Sequence, residues 1–257
     1  MRTKPQFTED PFNELSTAQR LAGLKQRFPD RVLIMTTNKC FGYCAHCTRR
    51  WLLGKAKAVD TAKELSACVD YVKAHPKVRD VLLSGGDVLT LSDERVMEFV
   101  NAFDKLPQVE MIRICTRALV AKPKRITKAL VKALARSKKI WVNVHINTAD
   151  EALIAKRPAA LFIEQGIPVS SQTVLLRGVN DTREKMLKLL QVLSAERIRP
   201  YYVFQCDPVK GLEHLRVPLS RAKAIERYCA EHIGGLALPR FVEDIPNSLR
   251  KVPLDLI

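Results

Sequence analysis

The chain has 257 residues, 47% of them hydrophobic and 27% charged, enough for one sizeable α/β domain with a full core. Lys and Arg number 43 against 27 Asp and Glu, and the net charge of +16 points to anionic ligands or a nucleic acid partner. No apolar run is long enough to span a membrane, and MRTKPQFTEDPF lacks the apolar stretch of a signal peptide. The expectation is therefore a soluble, cytoplasmic protein.

After a lead-in over residues 1–26, extended and helical patterns alternate. Strands are expected at Arg31–Thr36, Arg79–Ser84, Val109–Thr116, Ile140–Asn147, Ile167–Leu175 and Ile198–Asp207. Helices are expected near 60–74, 92–105, 124–137, 150–165, 181–196 and 219–232, with Asp181 and Ser220 in cap regions. Repeated β-then-α units imply a parallel sheet. Six of them predict an α/β fold, a partial (β/α)6 TIM-like barrel rather than a closed eight-fold one. No repeat, linker or low-complexity segment interrupts the pattern, so residues 1–257 read as a single domain ending in a C-terminal segment, 233–257.

The strand faces carry further information. Trp141, Asn143, His145 and Asn147 share one face of the fourth expected strand. Arg113, Cys115 and Arg117 group on the third, Ser170 and Gln172 on the fifth, and Tyr201, Gln205 and Asp207 on the sixth. A closed barrel fills its centre with branched apolar side chains. Repeated polar groups there predict an open central cavity occupied by polar ligands, because unpaired buried charge costs several kcal/mol. The excess charge concentrates in residues 121–139, which hold eight basic side chains and no acidic one. Ile126, Leu130 and Leu134 form a helical stripe there, which favours the solvated outer face of a barrel helix over an RNA or protein docking surface.

The loop after the first expected strand, TTNKCFGYCAHCTRR, places Cys40, Cys44 and Cys47 at a tight, uneven spacing. Three thiolates can hold an iron–sulfur cube and leave its fourth iron open to a reactive ligand. Simple core cysteines fit poorly with Phe41, Gly42 and Tyr43. Zinc with His46 is awkward, since His46 lies between two of the cysteines and no second CxxC pair exists. Cys68, Cys115, Cys206 and Cys229 are scattered singly, as buried thiols of a reducing compartment would be. Ser84-Gly85-Gly86-Asp87 closes the second strand. Its glycines would let backbone approach a ligand, and Asp87 could accept from a ligand ammonium.

Taken together, RFPDRVL, CFGYCAHCTRR, DVLLSGGDVL, SQTVLLRGVND, RPYYVFQCDPVKGLEHLRVP and FVEDIPNSLRKVP resemble the lysine 2,3-aminomutase family of radical S-adenosylmethionine enzymes, from about Arg27 to Pro253. The resemblance implies an isomerase with three cofactors. Cys40, Cys44 and Cys47 would bind a 4Fe-4S cluster, with S-adenosyl-L-methionine on the open iron. Ser84, Gly85, Gly86, Asp87, Arg117, His145 and Gln172 would contact that cofactor. Lys251 would be the catalytic lysine, joined to pyridoxal 5'-phosphate, with Arg27 and Arg31 near the phosphate. Arg49 would bind the substrate carboxylate, and Asp207 and Asp244 its distal ammonium. The reaction implied moves the α-amino group of lysine, or of a similar cationic amino acid, to the β-carbon.

The chain also departs from the family pattern. It is shorter than typical members at both ends, with six residues after Lys251, and Phe28 stands where tyrosine is common. Thr182 occupies a segment where zinc-binding members have cysteine, so no zinc is expected. Asn247-Ser248-Leu249-Arg250 replaces a glycine-rich approach to Lys251. The partners expected are a lysine-like amino acid and a cellular one-electron reductant, without a membrane or nucleic acid; a homo-oligomer stays open. Alternative functions are an arginine 2,3-aminomutase, a protein-lysine aminomutase of the elongation factor P type, a radical enzyme without pyridoxal phosphate, and a basic iron–sulfur binding module.

Overall fold

The computed structural model describes residues 6–14, 21, 23–51, 53, 55, 57–246 and 248–257. Among these residues nine strands form one open sheet whose spatial order follows the sequence, β1 to β9. The six expected strands are β2 (Arg31–Thr37), β3 (Asp80–Gly85), β4 (Met111–Thr116), β5 (Ile140–His145), β6 (Val169–Leu175) and β7 (Arg199–Gln205). A further parallel strand, β8 (Arg240–Glu243), pairs with β7, so six β/α units end on a seventh parallel strand. Two antiparallel edges complete the sheet: β1 (Leu24–Phe28) on β2, and β9 (Val252–Pro253) on β8. None of these three added strands carries the period of a buried strand. In β1 only Leu24 is buried, while β8 has four residues and β9 two, too few to establish alternation.

The crossovers are α1 (Ala62–Ala74), α2 (Asp93–Asp104), the short α3 (Ala118–Ala121), α4 (Lys128–Leu134), α5 (Ala149–Glu164), α6 (Arg183–Ala195) and α7 (Leu219–His232). Most begin on a hydroxyl cap that accepts a backbone N–H the helix itself leaves unpaired: Thr61, Ser92, Thr127, Thr148 and Thr182. At α1 the box is complete, with Glu64 bonded back to the Thr61 N–H at 3.0 Å. Thr182 is thus the α6 cap. Asp181 beside it accepts from the Gly178 N–H at 2.9 Å, and Ser220 lies inside α7 after the capping Pro218. The helix expected over 124–137 is shorter than its apolar stripe suggested, because a 3-10 turn starting at Pro123 precedes α4 and leaves Ile126 outside it.

The core lies between the helices and the outward face of the sheet, where Ile34, Leu83, Ile112, Ile114, Val142 and Val144 meet Phe99, Phe103 and Phe162. The inward face supplies Leu82, Arg113, Cys115, Asn143, His145, Gln172, Tyr202 and Phe204 to a central cavity. The polar inner face read from the sequence is therefore present, with one adjustment. A register irregularity between β6 and β7 turns Gln205 away, and its Nε2 donates to the Val217 carbonyl at 2.7 Å. Of the eight basic residues in 121–139, Arg125 clamps the Leu89 and Leu91 carbonyls at 2.8 and 2.9 Å and Lys139 the Leu106 carbonyl at 3.0 Å. The other basic side chains of that stretch are exposed. Among the described residues no helix is long and apolar enough to cross a membrane.

Candidate active site

The central cavity has a volume of about 900 Å³, at the large end of small-molecule sites. Its wall gathers the segments that follow β2, β3, β4, β7 and β8, the end of a parallel sheet where ligands are bound. Cys40, Cys44 and Cys47 all line it as half-buried free thiols. Two turns shape their loop, with the Cys47 N–H on the Cys44 carbonyl at 3.1 Å and the Arg50 N–H on the Cys47 carbonyl at 3.2 Å. Burial, then the Asp87 charge and the other two thiols, pushes Cys40 up to about 11, and burial likewise raises Cys47. Neutralising such thiolates requires a cation. Arg117 begins this, its Nη1 donating to the Cys44 Sγ at 3.2 Å.

Among the described residues, no three His, Cys, Asp or Glu side chains converge closely enough to hold a single metal ion. Thiolates on an iron–sulfur cube each bind a different iron and stand further apart than ligands of one ion. Three thiols on one loop, open to a large cavity and next to a guanidinium, fit that donor chemistry.

Gly85 and Gly86 serve the chain before they serve any ligand. Gly85 has φ +113°, and a Cβ there would lie 2.5 Å from the Thr37 carbonyl oxygen; one on Gly86 would lie 2.2 Å from that of Lys39. The Gly86 and Asp87 N–H groups donate to those same two carbonyls at 2.7 Å each. The SGGD turn is thus stapled to the backbone leading into Cys40. Asp87 completes the staple: its carboxylate accepts from Leu89 N at 3.0 Å, Thr116 Oγ1 at 2.7 Å and Arg117 N at 2.8 Å. Three protein donors thus hold the Asp87 carboxylate, two on Oδ1 and one on Oδ2. Arg117 also pairs with Glu151. His145 meets His46, their Nε2 atoms 2.9 Å apart and their rings stacked. Burial, with the neighbouring His145 and Arg117, holds His46 down at about 3, and burial and Arg117 hold His145 at about 4. Both rings are neutral at pH 7. Gln172 lines the same wall.

The opposite side of the cavity gathers the remaining candidates. Lys251 Nζ donates to Asp244 Oδ2, and Arg27 Nη1 donates to Asp244 Oδ1 at 2.7 Å. Burial lowers the Lys251 pKa, and the Asp244 charge only partly offsets it. The ammonium also faces the Phe28 and Phe204 rings, at 5.3 and 5.6 Å. Arg31 stands over Phe28 at 4.7 Å and pairs with Asp30 at 2.8 Å. A buried amine with a lowered pKa, two guanidinium groups and an aromatic wall fit pyridoxal phosphate. Ser248, Leu249 and Lys251 line this wall, while Asn247 lies outside the described residues.

Two of the expected substrate residues are already engaged. Arg49 holds Glu14 in a bidentate pair, its Nε and Nη2 each 2.7 Å from a carboxylate oxygen. Asp244, expected to receive an ammonium together with Asp207, sits between Arg27 and Lys251. In this structure Asp244 is thus held by two cations, whereas Asp207 keeps one oxygen without a partner. Asp207 Oδ2 accepts from Thr48 Oγ1 at 2.6 Å, and its buried Oδ1 has no hydrogen-bond partner. Burial raises Asp207 to about 6; the Thr48 hydrogen bond opposes this, and the Asp244 charge adds to it.

Three residues that shape the site, Glu14, Thr48 and Asp80, were not expected from the sequence. Asp80 neutralises the inner-face Arg113, whose Nε lies 3.0 Å from Asp80 Oδ1. No spacing rule links 14 to 49 or 48 to 207. Only for Asp80 was there a signal, since parallel pairing sets Leu82 beside Arg113 and leaves Asp80 two residues away on the same face, within reach of a long side chain.

A barrel of this form with a three-cysteine loop at its ligand-binding end defines a class. The family model described as the radical SAM superfamily matches residues 34–190, and the chain belongs to that superfamily. Among its relatives is the L-lysine 2,3-aminomutase of Acetoanaerobium sticklandii, 41% identical over 96% of this chain and 59% of the relative. The enzyme of that name from Bacillus subtilis is 38% identical over 96% and 52%. A glutamate 2,3-aminomutase of Clostridioides difficile is 33% identical over 90% and 55%. The resemblance read from the motifs is borne out. The chain spans less than two thirds of the length of these relatives. Among solved structures, Streptococcus suis SuiB bound to precursor peptide SuiA has a TM-score of 0.65 at 19% identity, covering 84% of this chain and 49% of SuiB. That likeness concerns the fold.

Proposed function

We propose that this chain is a radical S-adenosylmethionine, pyridoxal phosphate-dependent 2,3-aminomutase acting on lysine or a similarly cationic amino acid. The observation that carries the reading is one cavity lined by the three-cysteine loop, by Lys251 and by Asp207 with its unpartnered oxygen. When bound, the cluster with S-adenosylmethionine supplies hydrogen abstraction from an unactivated carbon, and pyridoxal phosphate supplies the π-system across which nitrogen can move.

The chain's own residues divide the remaining work. Cys40, Cys44 and Cys47 hold the cluster on a loop fixed by the SGGD staple. His145 and Gln172 line the wall beyond Cys44 and Arg117, and with Arg117 they would contact S-adenosylmethionine. Lys251 offers an amine whose burial favours the neutral, nucleophilic form, and Asp244 Oδ2 accepts its proton-bearing end. Arg27 and Arg31 supply cationic forks suited to a phosphate. Arg49 receives the substrate carboxylate in exchange for Glu14, and Asp207 receives the distal ammonium. A glutamate side chain would set a carboxylate against Asp207, so lysine is favoured over glutamate. A one-electron reductant is a required partner.

The test is anaerobic reconstitution with iron, sulfide and pyridoxal phosphate, then incubation with S-adenosylmethionine, reductant and separate lysine, arginine, ornithine and glutamate. About four irons per chain and a β-amino product from lysine are expected. Faster turnover of glutamate than of lysine would overturn the substrate assignment. Full iron content after Cys40, Cys44 and Cys47 are all replaced by Ala would overturn the cluster assignment.

A further inference from the structure

We propose that Thr48 is a positioning residue for substrate recognition, holding the Asp207 carboxylate so that Oδ1 is the oxygen left for the cationic end of the substrate. This rests on the reading of Asp207 given above. Thr48 directly follows Cys47, so the bond from its Oγ1 to Asp207 Oδ2, at 2.6 Å, ties the cysteine loop to the segment just beyond β7. A carboxylate with both oxygens free turns about its last side-chain bond. With Oδ2 fixed, only Oδ1 remains unpartnered, and a buried carboxylate oxygen without a donor is costly unless a ligand supplies one.

The nearby cations do not meet that need. Lys251 is paired with Asp244, and Arg216 donates to the Cys206 carbonyl and pairs with Glu243 at 2.7 Å. The ionisable groups acting on Asp207 are these two cations, Asp244, and Cys206 beside it in the chain. The hydroxyl that orients the acceptor also stabilises its charged form, so substrate fit and ionisation of Asp207 depend on the same bond.

The experiment measures binding of lysine and of norleucine, which lacks only the terminal amine, to the reconstituted protein by calorimetry. Wild type, Thr48→Ser and Thr48→Val are compared, with iron content and thermal unfolding as controls; Thr48→Ala replaces Thr48→Val if the latter fails to fold. Thr48→Val is expected to weaken lysine about tenfold, the loss of one hydrogen bond to a charged group, and to leave norleucine unchanged. Thr48→Ser should stay near wild type. The acidic limb of lysine binding should move to higher pH in Thr48→Val, and Thr48→Val should add nothing in an Asp207→Asn background. Equal weakening of lysine and norleucine, or none, would refute Thr48 alone. A wild type that does not distinguish the two ligands would refute the Asp207 assignment and Thr48 with it.

Discussion

The Glu14–Arg49 pair gives the sharpest quantitative test, because it occupies the fork assigned to the substrate carboxylate. Glu14→Gln preserves shape and removes the charge, leaving the Arg49 guanidinium uncompensated. Breaking a buried pair by deleting one partner costs about 3–5 kcal/mol. Here both side chains keep some contact with solvent, 22% for Arg49 and 17% for Glu14, so about 2–3 kcal/mol is expected. For a chain of this size that lowers the unfolding temperature by about 4–12 °C. The pH dependence has a definite sign. Burial pushes Glu14 up, but the Arg49 charge and hydrogen bonds, with Lys25 and Arg27, more than offset it and hold its pKa below the ordinary value. Such a group stabilises the fold above its unfolded pKa, about 4.3, and loses that contribution as pH falls through the folded value. The gap between wild type and variant should therefore be full at pH 7 and close on acidification. Lysine should restore much of the lost stability, since its carboxylate can enter the vacated fork and saturating ligand adds about 2.7 kcal/mol at a hundred times its Kd. Cadaverine, which has no carboxylate, should not. Differential scanning calorimetry with both ligands is the assay. An unchanged unfolding temperature, or equal rescue by cadaverine, would refute the argument.

Gly86→Ala should destabilise the fold by about 1–3 kcal/mol and disturb the cysteine loop, because the new Cβ would meet the Lys39 carbonyl oxygen at 2.2 Å; chemical unfolding and iron loading measure this together. Wild type should bind lysine more tightly as pH increases through about 6, and Asp207→Asn should abolish that rise. Because burial raises this carboxyl, the folded wild type binds its proton more tightly than the unfolded chain and loses stability from about pH 4 to 6. The amide variant should therefore be about 2–3 kcal/mol more stable at pH 7, as urea unfolding would read. Lys251→Ala should eliminate the borohydride-trapped pyridoxal adduct while leaving iron content unchanged, since Lys251 bonds to Asp244, on a segment separate from the cysteine loop; mass mapping of the adduct to another lysine would refute the assignment.

Local patterns along the chain sufficed for most of the elements and for the chemical class. Six strands were legible as short runs rich in β-branched and aromatic residues between helical stretches, and the helices because hydroxyl caps and apolar stripes are local signals. The cysteine loop was equally legible, since its three thiols lie within eight residues of chain. The short strands β1, β8 and β9 were not, because their pairing is decided by neighbours rather than by their own period. Residue roles in the cavity divide along the same line. That Arg27, Arg49, Asp207, Asp244 and Lys251 meet there follows from family motifs, yet which charge answers which is a matter of distances between segments far apart in sequence. That Glu14 fills the Arg49 fork, that Asp244 lies between Arg27 and Lys251, and that Thr48 leaves Asp207 one free oxygen emerge only once the chain is folded. A charge chooses its partner by proximity and desolvation in three dimensions, and neither quantity is written in the order of residues along the chain.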